Sequence, residues 1–95
     1  MAAYVVVNVT VNDPKRYEDY KALAPASIEQ FGGKYLARGG KSEVLEGHWK
    51  PNRMVILEFP TVDQAKSWWS STEYAQAKAI RHSCSTAELV VVEGL

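Results

Sequence analysis

Cysteine is almost absent from this chain, with Cys84 the single one among 95 residues. One thiol cannot close an internal disulfide, so a disulfide-stapled scaffold is excluded and a reducing, cytoplasmic setting is expected. Histidine is nearly as scarce. His48 and His82, taken with Cys84, match no common metal spacing, and no carboxylate completes a set at a recognisable offset, so no metal is expected. Excess charge is missing too: eleven basic residues balance eleven acidic ones, and no predicted face gathers Lys and Arg. The footprint of a nucleic-acid binder is therefore lacking. No apolar run approaches the roughly 18 residues of a membrane span, and the start of the chain has no charged-then-apolar signal pattern. Gly40-Lys41-Ser42 resembles the end of a phosphate loop, but Tyr35 stands where that motif needs glycine. With no G-x-G-x-x-G after a strand either, no cofactor is expected. The sequon Asn8-Val9-Thr10 falls inside a predicted strand and is read as chance. Repeats, low-complexity tracts and linkers are absent, which leaves one domain over residues 1–95.

What is present is alternation. Met54 to Phe59 is an apolar run with one carboxylate set into it, and it reads as a central strand. Val55, Leu57 and Phe59 share one face; Met54, Ile56 and Glu58 share the other. Glu58 on an apolar face needs a partner, a proton or a wet cavity. Tyr4 to Val11 alternates in the same way and gives a first strand. Asn12 or Asp13 before Pro14 starts a helix over 14–31, whose stripe is Tyr17, Tyr20, Ala24, Ile28 and Phe31 and whose stop is Gly32-Gly33. Pro25 lies inside it and predicts a break or kink. From Lys34 the chain reads as extended, through a bulge at Gly39-Gly40 and on over Glu43 to Glu46, into the loop Gly47 to Asn52. Thr61-Val62-Asp63-Gln64 has capping-box spacing and opens a second helix, broken near Ser70-Ser71-Thr72 and resumed through Tyr74, Ala77, Ile80 and Arg81. Ala87 to Val92 is the last strand.

The order β-α-β-β-α-β predicts an α+β, ferredoxin-like plait: a four-stranded antiparallel sheet with two helices on one face. Its strands offer apolar side chains to both faces, and helices cover only one. A second copy covering the face of Met54, Ile56 and Glu58 predicts a homodimer.

Asn12-Asp13-Pro14 with Tyr17 and Tyr20, the run Phe31 to Gly40, Glu46-Gly47-His48-Trp49, Glu58-Phe59-Pro60, Ser71 with Tyr74, and Arg81 resemble the uncharacterised bacterial family called domain of unknown function 1330. The resemblance covers nearly the whole chain. It implies the dimeric α+β barrel fold, shared by cofactor-free monooxygenases, haem-degrading enzymes, chlorite dismutases and ligand-sensing domains, and it implies no particular reaction.

The candidate site is Glu58 with Arg38, joined by Arg81 or His82. A carboxylate and a guanidinium at sheet depth bind and polarise an acidic or carbonyl ligand, or else form a structural ion pair. In the functional reading Arg38 binds the ligand oxygen, Glu58 acts as base or orienter, and His82 or His48 carries a proton. Tyr74, Trp69 and Trp49 form walls, with Arg81 beside them; Trp68, Tyr17 and Tyr20 divide between core and pocket. The bulge at Gly39-Gly40 is expected to bring Arg38 onto the face of Glu58. The expected function is a small homodimer that takes a small organic molecule between sheet and helices. It acts either as a cofactor-free monooxygenase-like or isomerase-like enzyme or as a non-catalytic binding or assembly module. No nucleic acid and no membrane are expected as partners.

Overall fold

Valine at every second position of β1 (Ala3–Val11) places Val5, Val7 and Val9 on one face, where all three are buried. This strand lies inside the sheet, because both its neighbours pair with it antiparallel. The computed structural model describes residues 1–95. After β1 come α1 (Pro14–Gln30), β2 (Lys34–Arg38), β3 (Arg53–Phe59), α2 (Val62–Trp69), α3 (Thr72–Cys84) and β4 (Ser85–Glu93). The strand order is β2-β3-β1-β4, antiparallel throughout, with the helices packed on one face: the expected plait. Its second helical stretch is two helices, since the Ser71 hydroxyl accepts the Tyr74 N–H and starts α3 afresh.

Helix α1 begins on Asp13, whose carboxylate accepts the Arg16 N–H, with Pro14 in the first turn. It ends in a Schellman turn: Gly33 N–H bonds Ile28 O at 2.9 Å and Gly32 N–H bonds Glu29 O at 3.0 Å, with Gly32 at φ +80°. The expected break at Pro25 is absent, and α1 runs as one helix through it. Proline removes the N–H that should reach the Lys21 carbonyl. Arg38 Nη2 supplies the missing donor instead, 3.2 Å from Lys21 O. The helix is continued by a strand residue.

A second correction concerns β2. Its bulge is not at Gly39-Gly40; the register slips between Tyr35 and Ala37, with Leu36 the extra residue. Lys34 therefore stands opposite Glu58, while Arg38 stands opposite Val55 on the helix side. Gly39, at φ +72°, gives its N–H to Met54 O at 2.7 Å and then leads the chain out of the sheet. The extended run expected over Glu43 to Glu46 is not a strand. Asn52 ties the segment's end to β1, its N–H on Asn8 Oδ1 and its amide nitrogen on Thr10 Oγ1.

The core is joined by aromatic rings. Phe59 meets Trp68 at 5.4 Å, Trp68 meets Tyr74 at 4.2 Å, Tyr74 meets Tyr20 edge-on at 6.3 Å, and Tyr20 meets Tyr17 at 5.3 Å. Trp68 is buried, and its indole N–H is satisfied by Ser27 Oγ at 3.1 Å. Thr61 caps α2 through the Gln64 N–H, as its spacing predicts, but the Gln64 amide nitrogen turns to Phe31 O and ties α2 to the end of α1.

Candidate functional site

Arg53 opens β3 and shares the parity of Val55, Leu57 and Phe59, so alternation alone sends it to the helix side. Its guanidinium lies 5.5 Å over the Tyr17 ring and presses against the Cα of Gly39, which has no room for a Cβ there. The Arg53 Nε is buried and has no hydrogen-bond partner. Such an orphan is uncommon, because a buried donor left unmade costs about 1–3 kcal/mol. Arg38, turned the same way by the bulge at Leu36, lies 4.7 Å over the Tyr35 ring and holds the Lys21 carbonyl.

A third guanidinium lies deeper. Arg81 on α3 is 3% exposed, and its Nε donates to the Tyr74 hydroxyl at 3.3 Å, while that hydroxyl bonds the Tyr20 hydroxyl at 2.8 Å. Burial, with the neighbouring Tyr74 second, pushes the Tyr20 phenol far above its usual range. Burial likewise raises the Tyr35 phenol, opposed by the Arg38 charge. The ion pairs of the chain are Arg16–Asp19, Lys21–Glu18, Lys34–Glu58 and Lys41–Glu43. Arg38, Arg53 and Arg81 therefore have no carboxylate. Between α1 and the sheet, Tyr17, Tyr20, Tyr35 and Trp68 wall a cleft whose charged groups are Lys21, Arg38 and Arg53. Its enclosed space is about 20 Å³, room for roughly one water. Neutral phenols beside unpaired guanidiniums suit an anionic or carbonyl oxygen.

The residues expected from sequence separate. Arg38 and Glu58 lie on opposite faces of the sheet, because the bulge falls three residues earlier than expected. Glu58 is paired with Lys34 at 3.2 Å on the open face, its side chain 27% exposed. Tyr74 and Arg81 are brought together, in the core beside the cleft. His82 is exposed on α3 and His48 is exposed in the segment between β2 and β3. Trp69 lines a different hollow of about 370 Å³ beside β4, with Lys78 Nζ 3.9 Å over its ring. Trp49 stands on the open face in a hollow of about 220 Å³ with Val6, Asn8, Glu88 and Val90. Neither tryptophan walls the cleft. Sequence reasoning missed Arg53, Tyr35 and Lys21; for Arg53 the strand parity was the available signal. No three His, Cys, Asp or Glu side chains converge, and no helix is long and apolar enough to cross a membrane.

The model of the family described as domain of unknown function (DUF1330) matches residues 2–95. Among curated proteins none matches this sequence. Among solved structures the chain is similar to a protein of unknown function from Rhodopseudomonas palustris, with TM-score 0.80 and 18% identity over 99% of this chain and 82% of that one. It is also similar to a dimeric ferredoxin-like protein of unknown function from Jannaschia sp. CCS1, with TM-score 0.72 and 11% identity over 99% of this chain and 100% of that one. A third is SnoaB, a cofactor-independent oxygenase from Streptomyces nogalater, with TM-score 0.68 and 17% identity over 99% of this chain and 93% of that one. At these identities the likeness shows the fold.

Proposed function

We propose that this chain, which belongs to the family described as domain of unknown function (DUF1330), binds a small acidic or carbonyl-containing organic molecule in the cleft between α1 and the sheet. The observation that carries the reading is Arg53: its Nε is buried and partnerless, and its side chain lines a cleft whose charged groups are all cationic. A ligand oxygen satisfies that donor and offsets the charge. Native mass spectrometry of the purified protein tests it. A bound small molecule present in the wild type and lost in Arg53→Met supports the site, and a ligand retained in that variant rejects it.

Homodimerisation through the open face belongs to the same proposal. Leu36, Val90 and Val92 are at least half exposed there, beside Trp49, and similar structures are described as dimeric. A cytoplasmic setting, suited to the one thiol, belongs to it as well. The enzymatic form of the reading takes its chemistry from the cofactor-independent oxygenase among those neighbours. A non-catalytic form is favoured by the placement of Glu58, His48 and His82, the expected proton carriers, all outside the cleft. Oxygen uptake with phenolic and quinol substrates separates the two, and turnover abolished by Arg53→Met selects the enzyme.

A further inference from the structure

We propose that the ligand of this cleft is a small carboxylate with an apolar body, and that it enters by drawing Arg38 away from the Lys21 carbonyl. The inference rests on the cleft being a binding site. As seen, the cleft has room for about one water, so a wall must move to admit a ligand. Only one lining residue is exposed, and it is Arg38; the others are buried or half-buried. No charge holds it in place. Its polar tether is one solvent-exposed bond, Nη2 to Lys21 O at 3.2 Å, and that carbonyl is free only because Pro25 lacks the N–H that would have taken it.

Exchange of acceptors then favours an anion. A neutral carbonyl oxygen is a weaker partner for a guanidinium than a carboxylate, whose charge-assisted bonds are about twice as strong. The released Lys21 carbonyl turns to water, since the bond it loses is already exposed. A planar carboxylate has two oxygens, one for Arg38 and one for the orphaned Arg53 Nε. Trp68, Val55 and Leu57 line the inner walls, which receive an apolar body and disfavour a second charge. That argues against phosphate. A neutral amide offers one oxygen and no charge, so it displaces Arg38 without gain.

Calorimetric titration at fixed ionic strength with benzoate, cyclohexanecarboxylate, benzamide and inorganic phosphate tests the inference. Both carboxylates are expected to bind at least tenfold more tightly than benzamide or phosphate, and Arg38→Met to weaken benzoate at least tenfold. Pro25→Ala is the sharper variant. It restores an N–H for Lys21 O, loosens Arg38, and is expected to tighten benzoate several-fold, which no passive packing role for Arg38 produces. Benzamide or phosphate binding as tightly as benzoate overturns the carboxylate assignment while leaving the cleft a site. An unchanged benzoate affinity in Pro25→Ala overturns the exchange, and it decides the matter even where Arg38→Met fails to fold. Silence from all four probes overturns the inference, and the broader reading is then judged by the native mass measurement alone.

Discussion

The two faces of the sheet come from the same alternating strands and end in opposite conditions. On the helix side Val5, Val9, Leu57 and Phe59 are at most 4% exposed, aromatic rings follow one another across the core, and three guanidiniums have no carboxylate. On the open side Leu36, Val90 and Val92 are 50% exposed or more, while Glu58 has its cation directly opposite and the other acid, Glu88, is exposed. The covered face is satisfied in its apolar atoms and unsatisfied in its charges. The open face leaves its apolar atoms uncovered and keeps its acids paired or in solvent. Packing is thus completed within the chain on one side and left open on the other, and only the covered side has buried cationic charge to spare for a ligand.

The strongest way to break the covered face is Trp68→Ala. It removes a buried indole that touches Phe59 and Tyr74 and is expected to cost about 3–5 kcal/mol in denaturant unfolding. On the open face, Ile56→Lys sets a charge between strands β1 and β2. Sedimentation velocity is expected to show a monomer, with association weakened by about 2 kcal/mol or more while the monomer's own unfolding moves by about 0.5 kcal/mol. A variant that stays dimeric would move the second surface elsewhere. Alkaline pH acts on the covered face through Tyr20. Burial keeps the Tyr20 phenol neutral in the fold, whereas in the unfolded chain it ionises near 10, so its contribution is complete below about pH 10 and is lost as pH rises further. The expected decline is about 1.4 kcal/mol per pH unit, flattened in Tyr20→Phe, as read from unfolding at pH 8, 10 and 11. Smallest is Lys34→Ala. Its pair with Glu58 is partly solvated, and its loss from the isolated chain is expected to cost under about 1 kcal/mol.

Much of the fold was legible because it is local. The valine alternation of β1, the cap at Asp13-Pro14, the stop at Gly32-Gly33 and the restart at Ser71 each act within a few residues, and each was found where the pattern set it. The site was less legible because it depends on register and on distant partners. One inserted residue, Leu36 rather than a glycine, decides which face receives Arg38. Nothing local marks Leu36 as a bulge. The local rule at Pro25 predicts a break or a kink; the break is absent, and an arginine thirteen positions after it in the chain takes up the carbonyl that the proline leaves free. Lys34 is not legible as the partner of Glu58, because the pattern reads as a hairpin turning at 47–52. The segment 39–52 intervenes instead.

The tie between Asn52 and β1 bears on how the protein is produced. Its acceptors are Asn8 Oδ1 and Thr10 Oγ1, and the Asn8 side-chain nitrogen and that same Thr10 hydroxyl are the glycan acceptor and the recognition hydroxyl of a sequon. In a secretory host, oligosaccharide is transferred to nascent chain before strands pair, when the sequon is open. A sugar on the Asn8 side-chain nitrogen would leave the Oδ1 that holds Asn52 in place but would stand on the open face beside Trp49 and Val90. Recombinant material from such a host would carry a blocked sheet face, whereas Asn8→Gln, which keeps the amide and erases the sequon, would give one glycoform-free species from any expression system.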